Sequence, residues 1–258
     1  LARSIADLAF AFAAIDPQRP EVPANGAVTG LRIGVIQNTV WDDIDPSIAE
    51  NTRAALQMLE KSGASLTQVT LACVDEVLAI FRAGGLAAPE LRAFLDRNFP
   101  ERIARLDPTV MARVQAADDV SAAEYLQRAA SLAHCGRKAA EVFDIVDVLV
   151  SPTVPITAPR LADLADGETY RRANMMALRN TALVNLFGWC AVPLPTGLDA
   201  HGIPSGLQII APPMQEARLL AAAVAVERVI GSGPEMLGAA PLSNTTNNPP
   251  LTNRRPHE

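Results

Sequence analysis

Few residues in this chain of 258 have the types that activate a nucleophile or hold a metal. The histidines are His134, His201 and His257. A Ser–His–Asp hydrolase needs one of them beside an exposed serine hydroxyl, and the G-x-S-x-G elbow that would present such a serine is absent. His201 falls in a turn beside Gly202, and His257 falls in the final stretch. His134 precedes Cys135 in a helical stretch, where neighbours point about 100° apart and cannot face each other as a Cys–His pair. Lysine is the alternative base, and the chain has two, Lys61 and Lys138. A lysine base needs burial or a nearby cation to lower its pKa, together with hydroxyl partners. Lys61 ends an amphipathic helix and Lys138 follows Arg137 in another. Neither is accompanied by a serine–glycine tract, so both read as solvated helix cations.

Metal and phosphate chemistry has no better footing. Cys73, Cys135 and Cys190 are far apart in sequence, odd in number and form no C-x-x-C pair, which supports neither a zinc site nor a disulfide framework. They read as thiols of a reducing cytoplasm. H-E-x-x-H, D-x-D-x-D-G and G-x-x-x-x-G-K-[ST] are absent, so no metal or cofactor is expected. Asp42, Asp43 and Asp45 precede a helix and suit its capping and dipole. What remains is a set of small, proline-punctuated loops at strand ends: 151–157, 188–197 and 202–213. Such loops line pockets in α/β proteins, but by themselves they do not name a reaction.

The elements that must hold these loops follow from periodicity. Leu1, Ile5, Leu8, Phe12 and Ile15 recur at helical spacing, so the chain opens inside a helix with no cap before it. Leu31–Ile36 reads as a strand. Asp45 caps a helix with Pro46 at its first position, and Gly63 ends it. Residues 65–71 alternate as a second strand, completing a βαβ unit with a parallel pair. Residues 74–143 are helical, with a capping box from Ser121 to Glu124. Ile145–Val150 is a strand buried on both faces, broken into a loop from Ser151. A helix covers roughly residues 168–187. Cys190–Pro195 and Gly206–Ile210 are strands joined by a turn, and Pro193 puts the first at an edge. An alanine-rich helix follows over residues 215–230, and 231–258 reads as a disordered tail.

Composition bounds the class. At 49% hydrophobic the chain can bury a large core, in one domain or a tightly joined pair. Charged residues are only 19%, which suggests that much of the chain is covered, either by itself or by partner polypeptide. A net charge of −6 without a basic stripe argues against nucleic acid as a partner. No apolar run approaches the roughly 18 residues of a membrane span, and no leader is evident, so a cytoplasmic location without membrane attachment is expected. Residue 1 is Leu, and the chain reads as a piece of a longer one.

The loops and their flanks resemble the amidase-signature family. Leu1-Ala-Arg-Ser-Ile-Ala-Asp-Leu8 resembles its G-P-x-A-R-S-V-x-D-x-A segment, and Leu31–Val35 resembles its L-R-I-G-V strand. Asp147-Val-Leu-Val-Ser-Pro-Thr-Val-Pro155 resembles D-V-L-L-T-P-T-x-P. Asn185–Gly188 followed by Ala191–Pro195 resembles N-x-x-G-x-P-A-x-S-x-P, and Gly202–Ile210 resembles G-L-P-V-G-L-Q-I-I. The five motifs occur in the family's order across about 210 residues. Cys190 stands where the family often has Pro, and Ser205 where Val is usual.

The resemblance implies an α/β fold, a mixed twisted β-sheet flanked by helices, with residues 1–230 as the C-terminal portion of an amidase domain. It implies hydrolysis of the C–N bond of a linear carboxylic amide by a Ser–cis-Ser–Lys machine. That machine lies upstream of the A-R-S segment, so no catalytic residue is expected here and the chain alone should be inactive. The expected contribution is one wall of the acyl pocket, with Thr153, Pro155, Arg179, Asn180, Asn185 and Trp189 as substrate-binding candidates. Expected partners are a small-molecule amide and the missing N-terminal half, with a homodimer also open. Two other readings stay open: a non-catalytic α/β binding or scaffold subunit, and the A subunit of a glutamine-dependent amidotransferase.

Overall fold

The computed structural model describes residues 2–16 and 26–237. One five-stranded mixed sheet organises them: β1 (Arg32–Ile36), β2 (Ser65–Val69), β3 (Val148–Pro152), β4 (Cys190–Leu198) and β5 (Pro204–Ala211), in the order β2-β1-β3-β5-β4. β1 pairs in parallel with both β2 and β3. β5 runs antiparallel to β3 and to β4. The βαβ unit therefore forms as its sequence implies, and Pro193 lies on an edge strand, where its missing N–H is tolerated.

Strand alternation gives the sheet two apolar faces. Ile33, Val35, Val148, Val150, Leu207 and Ile209 face one core. It is closed by α1 (Ile5–Ile15), α2 (Pro46–Lys61) and α8 (Glu216–Ile230). Leu149 and Ile210 face the other core with Val77, Leu132, Leu183, Phe187 and Trp189. That core is closed by α3 (Val74–Arg82), α6 (Ala122–Ala139) and α7 (Gly167–Leu186). Between α3 and α6 run α4 (Ala87–Asn98) and α5 (Pro108–Gln115), and α9 (Gly233–Leu237) follows α8. No helix of the described residues is long and apolar enough to cross a membrane.

The caps follow the local chemistry. Asp45 accepts the Ser47 N–H at 2.9 Å ahead of Pro46, and these hydrogen bonds, the Ser47 side chain first, hold its carboxyl below the usual range. Ser121 accepts the Glu124 N–H at 3.1 Å. Gly63, after α2, takes a φ of 96°, which a side chain would strain.

Three expectations are corrected. The first helix begins at Ile5 and has a cap, Ser4, which accepts the Asp7 N–H at 3.1 Å, where an uncapped start was expected; Leu1 itself lies outside the described residues. The third strand starts at Val148 and runs through Ser151 and Pro152, which pair with Gln208 and Leu207. The apolar run from Ile145 misplaced it because hydrophobicity alone does not set register, and Ile145 itself is exposed. Gly233–Leu237 is helical where a loose tail was expected. Residues 17–25 of the proline-rich connection and 238–258 of the tail lie outside the described residues.

Candidate functional site

The loops at the ends of β3, β4 and β5 meet the C-terminal part of α7. Thr153, just past β3, donates its N–H to Gly206 O at 2.8 Å. A Cβ on Gly206 would lie 3.0 Å from Thr153 Oγ1, so a glycine there lets the threonine side chain lie against β5. The result is a cavity of about 180 Å³ lined by Thr153, Thr181, Val184, Asn185, Ala191, Pro193 and Gln208. Thr153 Oγ1 is buried and has no hydrogen-bond partner among the described residues, and a group in that state ordinarily finds one. Gln208, nearly fully buried, donates to Ser151 Oγ at 2.8 Å and to Asn180 O at 3.4 Å. This lining has hydroxyls and amides but no acid, lysine or histidine. It can orient a small polar group by hydrogen bonding, and it holds no group able to act as a general base at neutral pH.

Of the expected binding residues, Thr153 and Asn185 line this cavity. The others are not among its lining residues and have different partners. Asn180, fully buried, donates to Val40 O and Pro152 O, each at 3.0 Å, and braces the loop after β1 against the end of β3. Arg179 donates to Asp42 O at 2.8 Å and to Asn180 Oδ1 at 3.2 Å, and burial lowers its pKa. Pro155 O accepts the Asp45 N–H at 2.7 Å. Trp189 stacks on Phe187 at 4.6 Å and meets Phe143 edge-on at 5.1 Å. Sequence reasoning did not single out Gln208 or Thr181. A glutamine within the apolar Gly206–Ile210 strand was the one available signal for the former.

The two departures from the family pattern are both accommodated. Ser205 Oγ accepts from Asn51 Nδ2 at 2.9 Å, tying β5 to α2. Cys190 Sγ donates to Pro212 O at 3.2 Å. The lysines stand as expected: Lys138 Nζ pairs with Glu141 at 2.7 Å, and Lys61 is exposed in the last turn of α2. Arg3 and Asp7 form an i,i+4 pair at 3.5 Å. A larger cavity of about 270 Å³ lies at the other end of β3 and includes Asp147 and Arg218. Its carboxylate is already engaged by Arg32 and Arg218.

The mixed sheet between helical layers, with its proline-punctuated loops gathered at one pocket, defines an amidase-signature architecture. The chain belongs to the Amidase family, whose model matches residues 1–220. It is 52% identical over 244 residues to 2-amino-5-chloromuconic acid deaminase of Comamonas testosteroni, covering 94% of this chain and 53% of that one. It is 30% identical over 219 residues to an amidase of Pseudomonas putida, covering 82% of this chain and 46% of that one. The chain thus spans about half the length of these curated relatives. Among solved structures, 6-aminohexanoate cyclic dimer hydrolase with its substrate aligns with a TM-score of 0.72 at 23% identity, over 89% of this chain and 54% of that one. A crystal structure of an amidase aligns with a TM-score of 0.76 at 20% identity, over 89% and 52%. At these identities the likeness is one of fold.

Proposed function

We propose that this chain forms the pocket-bearing part of an amidase-family hydrolase that breaks a C–N bond of a small polar substrate. The serine nucleophile and its lysine belong to polypeptide outside the chain. The observation that carries the reading is the Thr153 cavity, an unpartnered hydroxyl and a buried amide in a site without a base, on a chain half the length of its relatives. Its size suits a small amide or amino acid rather than a lipid chain, since pockets for drug-sized ligands run from about 300 Å³ upward. The 52% identical deaminase makes ammonia release from an amino-substituted unsaturated dicarboxylic acid the first substrate class to test. Phe10, Ile15 and Leu161, 81%, 79% and 88% exposed, offer apolar surface for the completing polypeptide.

The test is ammonia release from linear carboxylic amides and from aminomuconate-type acids, by the chain alone and by the chain joined to its upstream half. Turnover is expected only from the joined protein. Turnover by the chain alone, lost on mutating Ser151 or Ser205, would overturn the assignment of the nucleophile to other polypeptide. Ligand-induced stabilisation without ammonia release from the joined protein would favour a non-catalytic binding subunit.

A further inference from the structure

Cys73, Glu76 and Cys135 bring two thiol sulfurs and a carboxylate oxygen within 4.8 Å of one another. Sequence spacing gave no hint of this, because the two cysteines lie on different helices. Cys73 is the N-cap of α3 and takes a left-handed φ of 61°, yet its side chain makes no capping bond. Glu76 follows in the first turn of α3, three residues on, at the spacing that puts two side chains on one helix face. Cys135 lies on the inward face of α6 and is fully buried. Its neighbour Gly136 holds that face tight against α7, since a Cβ there would meet Phe187 O at 2.6 Å.

Such a trio is poorly served by protons alone. Cys135 is fully buried, with the Cys73 sulfur and a Glu76 carboxylate oxygen within 4.8 Å. A thiolate there would be desolvated beside groups that are themselves anionic when ionised. A dication reverses that balance, because it binds thiolate and carboxylate together and displaces the thiol protons. Two sulfurs and one oxygen suit a borderline-soft ion and exclude calcium or magnesium, which take oxygen ligands. Glu76 is exposed and Cys73 half-buried, which leaves a path from solvent and room for a water as fourth ligand.

We propose that Cys73, Glu76 and Cys135 form a binding site for a thiophilic divalent cation, with zinc the first choice, that clips the start of α3 to the middle of α6. None of the three residues lines the Thr153 cavity, so the clip is structural and stands apart from the proposed hydrolysis.

The experiment titrates cobalt(II), and then zinc, into the full protein, reduced and stripped of metal, reading wild-type-minus-variant difference spectra. One cobalt per chain is expected, with a sulfur-to-cobalt charge-transfer band and the visible bands of a tetrahedral ion, both abolished by one equivalent of zinc. Cys73→Ser and Cys135→Ser should each weaken the band and lower affinity by more than the roughly 10–100-fold that loss of an outer-shell partner costs. Glu76→Gln, at an exposed position that does not endanger the fold, should keep the charge-transfer band but bind at least about 10-fold more weakly. Cys190→Ser should change nothing. No charge-transfer band in the reduced protein, a band that depends on Cys190 instead, or undiminished affinity in Glu76→Gln would overturn the site.

Discussion

Arg32 and Asp147 close a reciprocal clamp at the start of the two central parallel strands. The Arg32 N–H donates to Asp147 Oδ2 at 2.9 Å and its Nη2 to Oδ1 at 2.8 Å, while the Asp147 N–H returns a bond to Arg32 O at 2.7 Å. Arg218 of α8 adds a second cation to the same carboxylate at 3.1 Å. The clamp sits next to the Ile33–Val148 pair and helps fix the register of β1 against β3. A slip of one residue would turn both strands' apolar sets to the wrong faces.

Replacing Asp147 with Ala should therefore destabilise the fold by about 1–2 kcal/mol, since a charge-assisted hydrogen-bond acceptor is lost but part of the group is solvated. The hydrogen bond from the Arg32 side chain is the main cause of the lowered carboxyl pKa. A carboxyl with a depressed folded-state pKa stabilises above its unfolded value, here near 3.8, and loses that contribution as pH falls through the folded value. Urea melts of the parent and Asp147→Asn should differ at pH 7 and converge in strong acid. A gap that stays constant with pH would contradict this.

Glu227 of α8 has the opposite sign. It accepts the Ile5 N–H at 3.0 and 3.2 Å from its two oxygens and so caps α1 from another helix. Burial is the main cause of its raised pKa. Its folded form thus favours the proton, and the associated stability is present below the usual value of 4.5 and lost as pH rises through the raised one. Glu227→Gln keeps a carbonyl oxygen for Ile5 and removes the buried charge. Its melting temperature should exceed the parent's at neutral pH by a few degrees, and the advantage should vanish below pH 4.5. Scanning calorimetry across that range measures it.

Asn180 is a brace before it is anything else. Asn180→Ala removes the amide donor to Val40 O and to Pro152 O, the latter retaining the bond from Ser151 Oγ at 3.3 Å, at a cost of about 1–3 kcal/mol. Asn180→Asp should cost at least as much, because it removes the same donors and adds a buried charge. Chemical denaturation gives the number. A loss of activity with unchanged stability would instead make Asn180 a direct substrate ligand.

Thr153 should behave in the reverse way. Its hydroxyl has no partner among the described residues, so Thr153→Val removes a buried unsatisfied group and should leave stability unchanged or raise it by about 1 kcal/mol. In the joined enzyme the same change should raise KM by roughly 10-fold, the worth of one hydrogen bond to substrate. Unchanged KM together with lowered stability would remove Thr153 from the binding wall.

The sequence by itself determined the elements whose signals are local. Asp45 with Pro46, Ser121 with Glu124, and Gly63 after a helix each act through sterics or a hydrogen bond spanning a few residues, so they read correctly without the fold. Alternating and continuous apolar runs gave the parallel pair, and Pro193 gave the sheet edge, because a missing N–H forbids an interior strand. The order of short motifs gave the family. The tertiary structure alone decided which side chains meet. The start of β3 moved from Ile145 to Val148 because pairing with Ile33 and the Asp147 clamp, not hydrophobicity, set it. Arg179 and Asn180 read as pocket residues, and the fold alone showed which backbone carbonyls they reach. Thr153 met Gln208 in one cavity, and Cys73 met Cys135, only once the sheet and its helical layers had brought distant segments together. Contacts of that kind depend on the whole packing arrangement, which no window of neighbouring residues contains.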